Sequence, residues 1–398
     1  MMRLILYITA HILFLSILHS PLQAQGVITV RVSFKVILNP ADGARPTLGP
    51  SGAVLADADV DTTIAAMNDL YRPYFRGFRF QRVGPVIDVG GIGDMTGPSR
   101  YFNTNFVTDP NRIQLRNQME EAAMTDGRYA WNNNAINVYV NGGTQGGICS
   151  FPGDHNIVIV GGRAIGPGQT LLHEIGHYFN LVHTHEDDLV DTLADNPSWD
   201  LDQIANNNFG VNYAMLSPAQ KAQVDDVMLN LMSYHGTIGG SVVPTGSIYQ
   251  SRLTEQQLDR WADGAAGIYG GNRQFVVDSL TIFVDVAAPQ QRPFFGHSAN
   301  PYNNLRDAVN QAISWRNGGW GSVLMLRPGA FNQQMTINTP LTLRATRRGS
   351  ATIGRANQLA EPDPSTSKIE ESSDEAQVIS GSKPTKSGLP VNGVKQQR

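Results

Sequence analysis

Apolar and polar residues alternate near the start of the chain and then change period. Residues 27–38 read Val-Ile-Thr-Val-Arg-Val-Ser-Phe-Lys-Val-Ile-Leu, the period of a half-buried strand that opens a sheet. Across residues 59–71 the apolar side chains recur every three or four positions, with Asp59 available as a cap. The pattern predicts a strand followed by a helix that packs on its sheet.

Further helices and strands are predicted over the next two hundred residues. Ser217-Pro-Ala-Gln220 and Thr254-Glu-Gln-Gln257 carry capping patterns, so each is expected to begin a helix. A glycine-rich stretch at 264–271 is expected to end this first region. Between the opening helix and those caps, the pattern predicts strands around 78–89, a helix near 112–124 and an inner strand at 136–140.

From residue 281 onward the pattern resembles the entry cap and first rung of a right-handed parallel β-helix of the pectate-lyase type. Solenoids generally need three or more rungs, and this stretch supplies about one or two. We therefore expect a small β-rich, β-helix-like accessory module at 277–354, without catalytic carboxylates. The predicted elements are strands at 282–286, 323–329, 335–337, 341–345 and 351–353, and a helix at 300–312.

The two ends of the chain have distinct compositions. Residues 1–24 read as an export signal, with Arg3, an apolar run and the small residue Ala24 at the expected cut. The run is short for a bilayer span, so we expect a secreted protein, extracellular or periplasmic, with no membrane attachment after cleavage. Residues 355–398 are rich in Ser, Lys, Glu, Pro and Gly, which predicts a disordered tail.

Charge and cysteine content remove several classes of function. The net charge of −4 comes without a basic run interleaved with aromatics, which excludes a nucleic-acid partner and a polybasic membrane surface. Cys149 is the one cysteine in the sequence, so no internal disulfide can form. Stability must come from packing and from bound metal.

The residues with the clearest chemistry lie between 173 and 183. On a helix, His173 and His177 share one face a turn apart, while Glu174 is rotated toward the rim. His183 lies too far along to share that face unless the helix stops and the chain doubles back. Asn180 is the candidate stop, because asparagine readily adopts the left-handed conformation that ends a helix.

Three neutral imidazoles around zinc leave a fourth position for water, as in a catalytic site. Zinc lowers the pKa of such water, and Glu174 would take its proton as the water attacks a carbonyl carbon. The pattern therefore predicts amide hydrolysis, with a non-catalytic histidine cluster as the alternative. The remaining histidines are interpreted as having no role, with His11, His19, His235 and His297 on the surface and His155 and His185 nearer the site.

A second segment with a recognisable pattern is Asn230-Leu-Met-Ser-Tyr234. Together the two segments resemble the metzincin clan of zinc peptidases, in which a Met-turn forms the hydrophobic floor beneath the zinc. The resemblance implies that Met232 is this floor and that Tyr234 is a switchable zinc ligand or a hydrogen-bond donor to the transition state. Without the histidines, Met232 would read as an ordinary core methionine.

Within the clan the chain is most similar to the pappalysin family, over roughly residues 27–270. The resemblance implies an α+β fold: an α/β/α-like peptidase domain at 25–270, with a five-stranded mixed sheet and a zinc-binding helix. It also implies an exposed edge strand at 147–151, to which an extended peptide substrate could add. The matching order of segments is 136–140, 147–152, 157–160, the histidine helix and 183–192.

The chain departs from the family pattern in its turn and in its loops. Asn180 stands where a glycine is usual, Thr192 lacks the following proline, and the paired cysteines are missing. The acidic residues at 186–188 and Asp191 make Ca²⁺ a second candidate cofactor, with a solvated acidic loop as the alternative. Cys149 could cap the zinc as a thiolate, although a plain buried residue is the simpler interpretation.

The leading hypothesis is a secreted zinc endopeptidase that acts on protein or peptide substrates. The rival from another class is a secreted adhesin or carbohydrate-binding protein, in which the C-terminal module binds polysaccharide and the zinc domain is inactive. A metal hydrolase acting on a non-peptide bond is the third reading, and an edge strand beside the metal favours a peptide over it.

Overall fold

The computed structural model of the chain leaves the predicted export signal at 1–24 and the predicted tail at 355–398 outside the described residues. All described residues belong to one compact unit that extends to Arg355. The description covers residues 28–49, 52–71, 78–152, 157–235, 251–270, 273–289, 296–317, 321–333, 335–338, 341–346 and 351–354.

A mixed, mainly parallel sheet forms the centre of the structure. Its strands are β1 (Ile28–Ile37), β4 (Phe78–Arg82), β5 (Ile87–Val89), β6 (Ile136–Asn141), β7 (Gly147–Cys149) and β8 (Ile157–Gly161). A short hairpin, β2 (Thr47–Leu48) with β3 (Ala53–Val54), lies apart from it. The strand order is β4-β1-β6-β8-β7, with β5 also paired to β1. Only β7, which pairs with β8, runs antiparallel in this sheet as described.

The prediction of a mixed sheet is confirmed, but the sheet has six strands rather than five. The additional strand arises because β4 and β5 occupy successive stretches of the same side of β1. Gly84, with φ of +72°, and Pro85 break the chain between them. Proline has no backbone N–H to donate to a neighbouring strand, so the pairing is interrupted there.

Seven α-helices pack around the sheets in the described part of the chain. They are α1 (Asp57–Tyr71), α2 (Arg112–Thr125), α3 (Gln169–Tyr178), α4 (Leu201–Phe209), α5 (Pro218–Met228), α6 (Glu255–Ala265) and α7 (Leu305–Asn317). None of these helices combines the length and the apolar content that a bilayer span requires.

The predicted helix starts are confirmed at two positions and wrong at a third. Ser217 and Thr254 each form a full capping box at the start of α5 and α6. Helix α1, however, begins two residues before Asp59. The Asp59 carboxylate accepts the Ala56 N–H at 2.8 Å, so Asp59 closes the first turn from inside the helix rather than capping it.

Strand β1 is more deeply buried than the predicted half-buried strand. One face joins the main core, which it shares with α1, α3 and α6, and the other face lies toward a second core that includes α2. The second core covers this other face, so even Ser33 and Lys35 are buried. Alternation of polar residues therefore does not mark a solvent-facing surface here.

Lys35 is fully buried on the second face of β1. Its ammonium group donates to the Ser33 hydroxyl at 2.9 Å and to the Asn137 amide oxygen. It also lies 5.7 Å from the centre of the Tyr139 ring. Burial lowers the pKa of Lys35 to about 7.

This pKa predicts that the contribution of Lys35 to stability rises with pH. The unfolded chain holds the lysine proton up to pH 10.5, whereas the folded chain releases it near pH 7, so unfolding takes up a proton in that interval. We expect Lys35 to raise the free energy of unfolding between pH 7 and pH 9.5 by at most about 1.4 kcal/mol per pH unit, relative to a chain without this lysine. Lys35→Met should remove this increase, as measured by denaturant unfolding.

The partly exposed Lys221 supplies the matched control. Lys221→Met should keep the pH dependence of the unmodified chain. Equal pH dependence in Lys35→Met and the unmodified chain would contradict the assignment to Lys35.

The C-terminal strands pair in parallel. They are β9 (Ser279–Val284), β10 (Gly321–Leu326), β11 (Gly329–Phe331), β12 (Thr342–Ala345) and β13 (Ala351–Ile353), in a sheet ordered β12-β10-β9 and a pair β11-β13. The strand predicted at 335–337 is wrong, since that stretch is irregular in the structure. Helix α7 begins at Leu305 rather than at residue 300, because the Asn304 side chain accepts the Asp307 N–H at 2.8 Å. The β-helix resemblance stays a prediction.

The boundary predicted at 264–271 falls inside the compact unit. Helix α6 continues through Gly264, where a Cβ atom would lie 2.1 Å from the Phe179 carbonyl oxygen. Val277 forms a bridge to Val30 of β1, and Asp263 accepts hydrogen bonds from the backbone and hydroxyl of Ser298. The two regions therefore share one core, and independent folding of the module stays a prediction.

Candidate metal centre

Helix α3 carries the first two histidines and ends as predicted. Asn180 has φ of +76°, the left-handed conformation, and the Leu181 N–H returns to the Gly176 carbonyl at 2.9 Å. This turn reverses the chain just after the helix. His183 is thereby brought back beside His177, although it lies six residues further along the chain.

The three imidazoles converge through their Nε2 atoms. The Nε2 of His177 lies 3.1 Å from the Nε2 of His173 and 3.1 Å from that of His183. Three nitrogens bound to one tetrahedral zinc at about 2.0–2.1 Å would be separated by roughly 3.3 Å. The spacing therefore fits such an ion, and these three residues could hold a metal.

The other ring nitrogens of His173 and His177 are occupied by backbone carbonyls. His173 Nδ1 donates to the Leu231 oxygen and His177 Nδ1 donates to the Leu181 oxygen, both at 2.7 Å. A carbonyl can only accept, so each Nδ1 carries the hydrogen and each Nε2 keeps its lone pair for a metal. The sequence gives no sign of either contact, because every residue offers the same carbonyl group.

The third histidine is oriented by a carboxylate. His183 Nδ1 lies 3.0 Å from the Glu186 Oε2 in the short helical turn 184–186. The sequence predicts Glu186 as a candidate Ca²⁺ ligand or as part of a solvated acidic loop, although its position three residues after His183 is a signal for this contact. A carboxylate on the far nitrogen fixes the ring and makes the metal-facing nitrogen a better donor.

This contact predicts a change in metal affinity. Glu186→Ala should weaken zinc binding about 10-fold, at the low end of the range for outer-shell partners because the carboxylate is half exposed. Glu186→Gln should lose less zinc affinity than Glu186→Ala, since the amide oxygen can still accept a hydrogen bond from His183 Nδ1. Competition with a chromogenic chelator measures both, and an unchanged affinity in Glu186→Ala would refute the role.

Burial keeps the three imidazoles neutral. Desolvation lowers the pKa of His173 to about 4, lowers that of His177 strongly, and also lowers that of His183. A neutral imidazole is the form that binds a metal. The group is therefore ready to accept a cation at neutral pH without first losing protons.

Glu174 lies directly beneath the edge strand β7. A Cβ atom at Gly147 would be 2.6 Å from the Glu174 Cγ and 2.8 Å from its Oε1, so any residue larger than glycine would displace this side chain. Burial raises the pKa of the Glu174 carboxyl to about 8. A divalent cation in the histidine group would lower this pKa again by direct attraction.

Met232 and Tyr234 both lie at this site. Met232 is fully buried under α3, and a Cβ atom at Gly176 would lie 2.6 Å from its sulfur. The Tyr234 ring centre lies 4.2 Å from that of His183, and burial raises the pKa of the phenol, which therefore keeps its proton. The structure brings together all the predicted site residues, while their roles stay predictions.

The edge strand is held by two arginines. Arg116 of α2 donates to the Cys149 carbonyl at 3.2 Å, and Arg273 donates to the Ser150 carbonyl at 3.3 Å. The Arg273 guanidinium also lies 3.5 Å from the centre of the Tyr178 ring on α3, which links the strand to the histidine helix. Burial raises the pKa of the Cys149 thiol, so a buried neutral residue is favoured over a thiolate.

The acidic side chains of the following loop have protein partners. Asp187 accepts from the Gln257 amide at 3.1 Å, Asp188 pairs with Arg260, and Asp191 accepts the Gln256 N–H at 2.8 Å. They attach the loop to α6 instead of converging on a shared point. In the described part of the chain, the groups of ligand atoms close enough for a metal are both built on His183, so Ca²⁺ stays a prediction.

A buried Asp–His pair lies behind the site and was missed. His235 Nε2 lies 2.6 Å from Asp195 Oδ1, and the Thr184 hydroxyl donates to the other carboxylate oxygen at 2.6 Å. His235 is therefore not the surface histidine that was predicted. The pair joins the loop carrying His183 to the turn after Met232, where the Thr184 N–H also reaches the Met232 carbonyl at 3.2 Å.

The other histidines without a predicted role divide into two groups. His185 stacks on His183 with ring centres 5.4 Å apart, and His297 is partly exposed in the C-terminal region. The predictions for His11, His19 and His155 lie outside the described residues.

No known protein-family model matches this chain, and no curated protein matches it. The resemblance to metzincins therefore stays a prediction that depends on the two sequence motifs and the order of the segments around them. What the structure itself defines is a mixed α/β protein with a histidine group able to hold a metal.

Proposed function

We propose that the chain is a secreted zinc endopeptidase of the metzincin type, most similar to the pappalysins. His173, His177 and His183 hold the zinc, and Glu174 is the general base. One observation carries the proposal: three neutral imidazoles direct unprotonated Nε2 atoms at one point, next to a buried carboxylate. An unliganded cluster of this kind would place three lone pairs against one another with no attraction to offset the repulsion.

When bound, zinc supplies a Lewis acid that lowers the pKa of water and polarises a carbonyl. Glu174 accepts the proton of the attacking water and passes it to the departing amine nitrogen. The Tyr234 phenol, which keeps its proton, donates a hydrogen bond to the oxygen on which charge develops.

The edge strand supports a peptide as the substrate. Among the described strands, β7 pairs with β8 on one side and with none on the other. An extended peptide could therefore add to β7 through backbone hydrogen bonds. Because Gly147 brings this strand against Glu174, a peptide bound there would pass close to the base.

Cleavage of a peptide library by the purified full chain tests the proposal. We expect internal bonds to be cleaved, cleavage to stop on addition of a zinc chelator, and activity to return when zinc is restored. Cleavage that persists in the chelator, or a metal-loaded chain without any cleavage, would count against it. A chain that instead binds polysaccharide through its C-terminal module and cleaves nothing would favour the rival adhesin.

A further inference from the structure

A cavity with a volume of about 320 Å³ lies apart from the histidine group. It lies between the end of α2, the loop 131–135 and the turn 273–276, and Tyr178 forms part of its wall. This volume is at the lower end of the range for small-molecule sites, roughly 300–1,000 Å³. None of the proposed metal ligands lines it.

One arginine holds the two walls of this cavity together. Arg31 of β1 donates from Nε to the Asn134 carbonyl at 2.8 Å, on the loop wall. Its Nη2 donates to the carbonyls of Phe275 and Val277 on the opposite wall. The planar guanidinium therefore links the two walls and fixes the distance between them.

The asparagine loop is shaped by its own amides. The buried Asn137 side chain accepts the Asn132 N–H at 2.8 Å and donates to the Asn132 carbonyl at 2.9 Å. Lys35 also donates to the Asn137 oxygen, which fixes the orientation of that amide. The Asn132 side-chain oxygen then accepts the Asn134 N–H at 2.9 Å, so the loop is ordered before any ligand arrives.

The surface offered by this cavity is polar but uncharged. Asn133 and Asn134 are exposed on its wall. The Trp131 indole N–H donates to the Asn133 oxygen at 3.0 Å, and the Asn133 NH₂ group has two hydrogens that can be donated. Trp131, Phe275 and Met124 add apolar surface. No lining residue carries an ionisable carboxylate, amine or guanidinium, so the cavity has no group that selects a charged ligand.

A sugar ring matches this combination of surfaces. Its C–H face can pack on aromatic rings, and its hydroxyls can both donate to and accept from side-chain amides. We propose that this cavity binds a neutral saccharide, separately from the metal centre and from the C-terminal module. It would attach the chain to a glycan whether or not the metal centre is active.

Binding of the full chain to a panel of immobilised neutral oligosaccharides tests this proposal. The panel includes glucans, xylans, mannans and N-acetylglucosamine oligomers, and Glu174→Gln is used as the background so that proteolysis cannot interfere. We expect at least one neutral oligosaccharide to bind. Asn133→Ala and Phe275→Ala should each weaken that binding about 10-fold, the scale of one lost hydrogen bond or packed ring.

Asn207→Ala is the matched control, because Asn207 is exposed on α4, outside the cavity lining. It should bind as well as the background chain. The proposal is overturned if no neutral oligosaccharide binds, if binding survives both cavity substitutions, or if the cavity takes up peptides instead. Circular dichroism of each variant separates loss of the ligand from loss of the fold.

Discussion

Replacing Glu174 by glutamine is expected to reduce peptide cleavage about 10²–10⁴-fold, the range for removal of a general base. Glutamine has the same shape, so it fits beneath Gly147 without disturbing β7. It cannot accept a proton from water, whereas the three histidines remain able to bind zinc. The measurements are initial rates on a peptide substrate together with the zinc content of the same sample.

The exposed Glu121 provides the matched control. Glu121→Gln removes the same charge from α2 and should cleave at the rate of the unmodified chain. If Glu174→Gln retained more than a tenth of the activity with zinc bound, Glu174 would not be the base. If it lost its zinc instead, the carboxylate would be part of the binding site.

The second large effect is expected from His177→Ala. His177 is the most buried of the three histidines, and its Nε2 lies within 3.1 Å of both other Nε2 atoms. Removing it leaves two ligands, which is fewer than any catalytic zinc site of this type retains. We expect zinc affinity to fall by more than about 100-fold, beyond the 10–100-fold typical of outer-shell partners, and cleavage to fall with it.

His297→Ala is the control for this substitution, because His297 lies in the C-terminal region and takes no part in the candidate site. It should bind zinc as the unmodified chain does. If His177→Ala still bound one zinc per chain at micromolar zinc, the metal site would have to lie elsewhere in the chain. Calorimetric titration of zinc into the apo chain gives both the stoichiometry and the affinity.

The grouping of the three histidines could be predicted because it depends on local features of the chain. His173 and His177 lie four residues apart on one helix, so the helical period alone places them on one face. The return of His183 depends on a single residue, Asn180, whose side chain tolerates the left-handed conformation. Spacing and one backbone preference were therefore sufficient for the centre of the site.

The groups that orient the histidines could not all be found in this way. Leu181 and Leu231 act through their backbone carbonyls, which have no residue-specific signature. The Asp195–His235 pair joins residues separated by 40 positions, so it depends on the path of the intervening chain. Such contacts follow from tertiary structure and have no counterpart in the local pattern.

The same distinction between local and tertiary contacts applies to the fold. Lys35 and Ser33 alternate with apolar residues, and the pattern cannot tell a solvent-facing side from one covered by α2 and the second core. Gly264 opens the glycine-rich boundary predicted at 264–271, and it is required by the close approach of α6 to Phe179. The boundary itself stays a prediction. In both cases a neighbour distant in sequence determines the environment.

The proposed peptidase activity depends on a divalent cation bound by three imidazoles beside Glu174. X-ray absorption spectroscopy of the natively purified chain, together with elemental analysis, measures this directly. We expect one zinc per chain, with three nitrogen ligands at about 2.0–2.1 Å and a fourth position open to a water oxygen. A preparation without transition metal, or a metal bound mainly by sulfur, would contradict it.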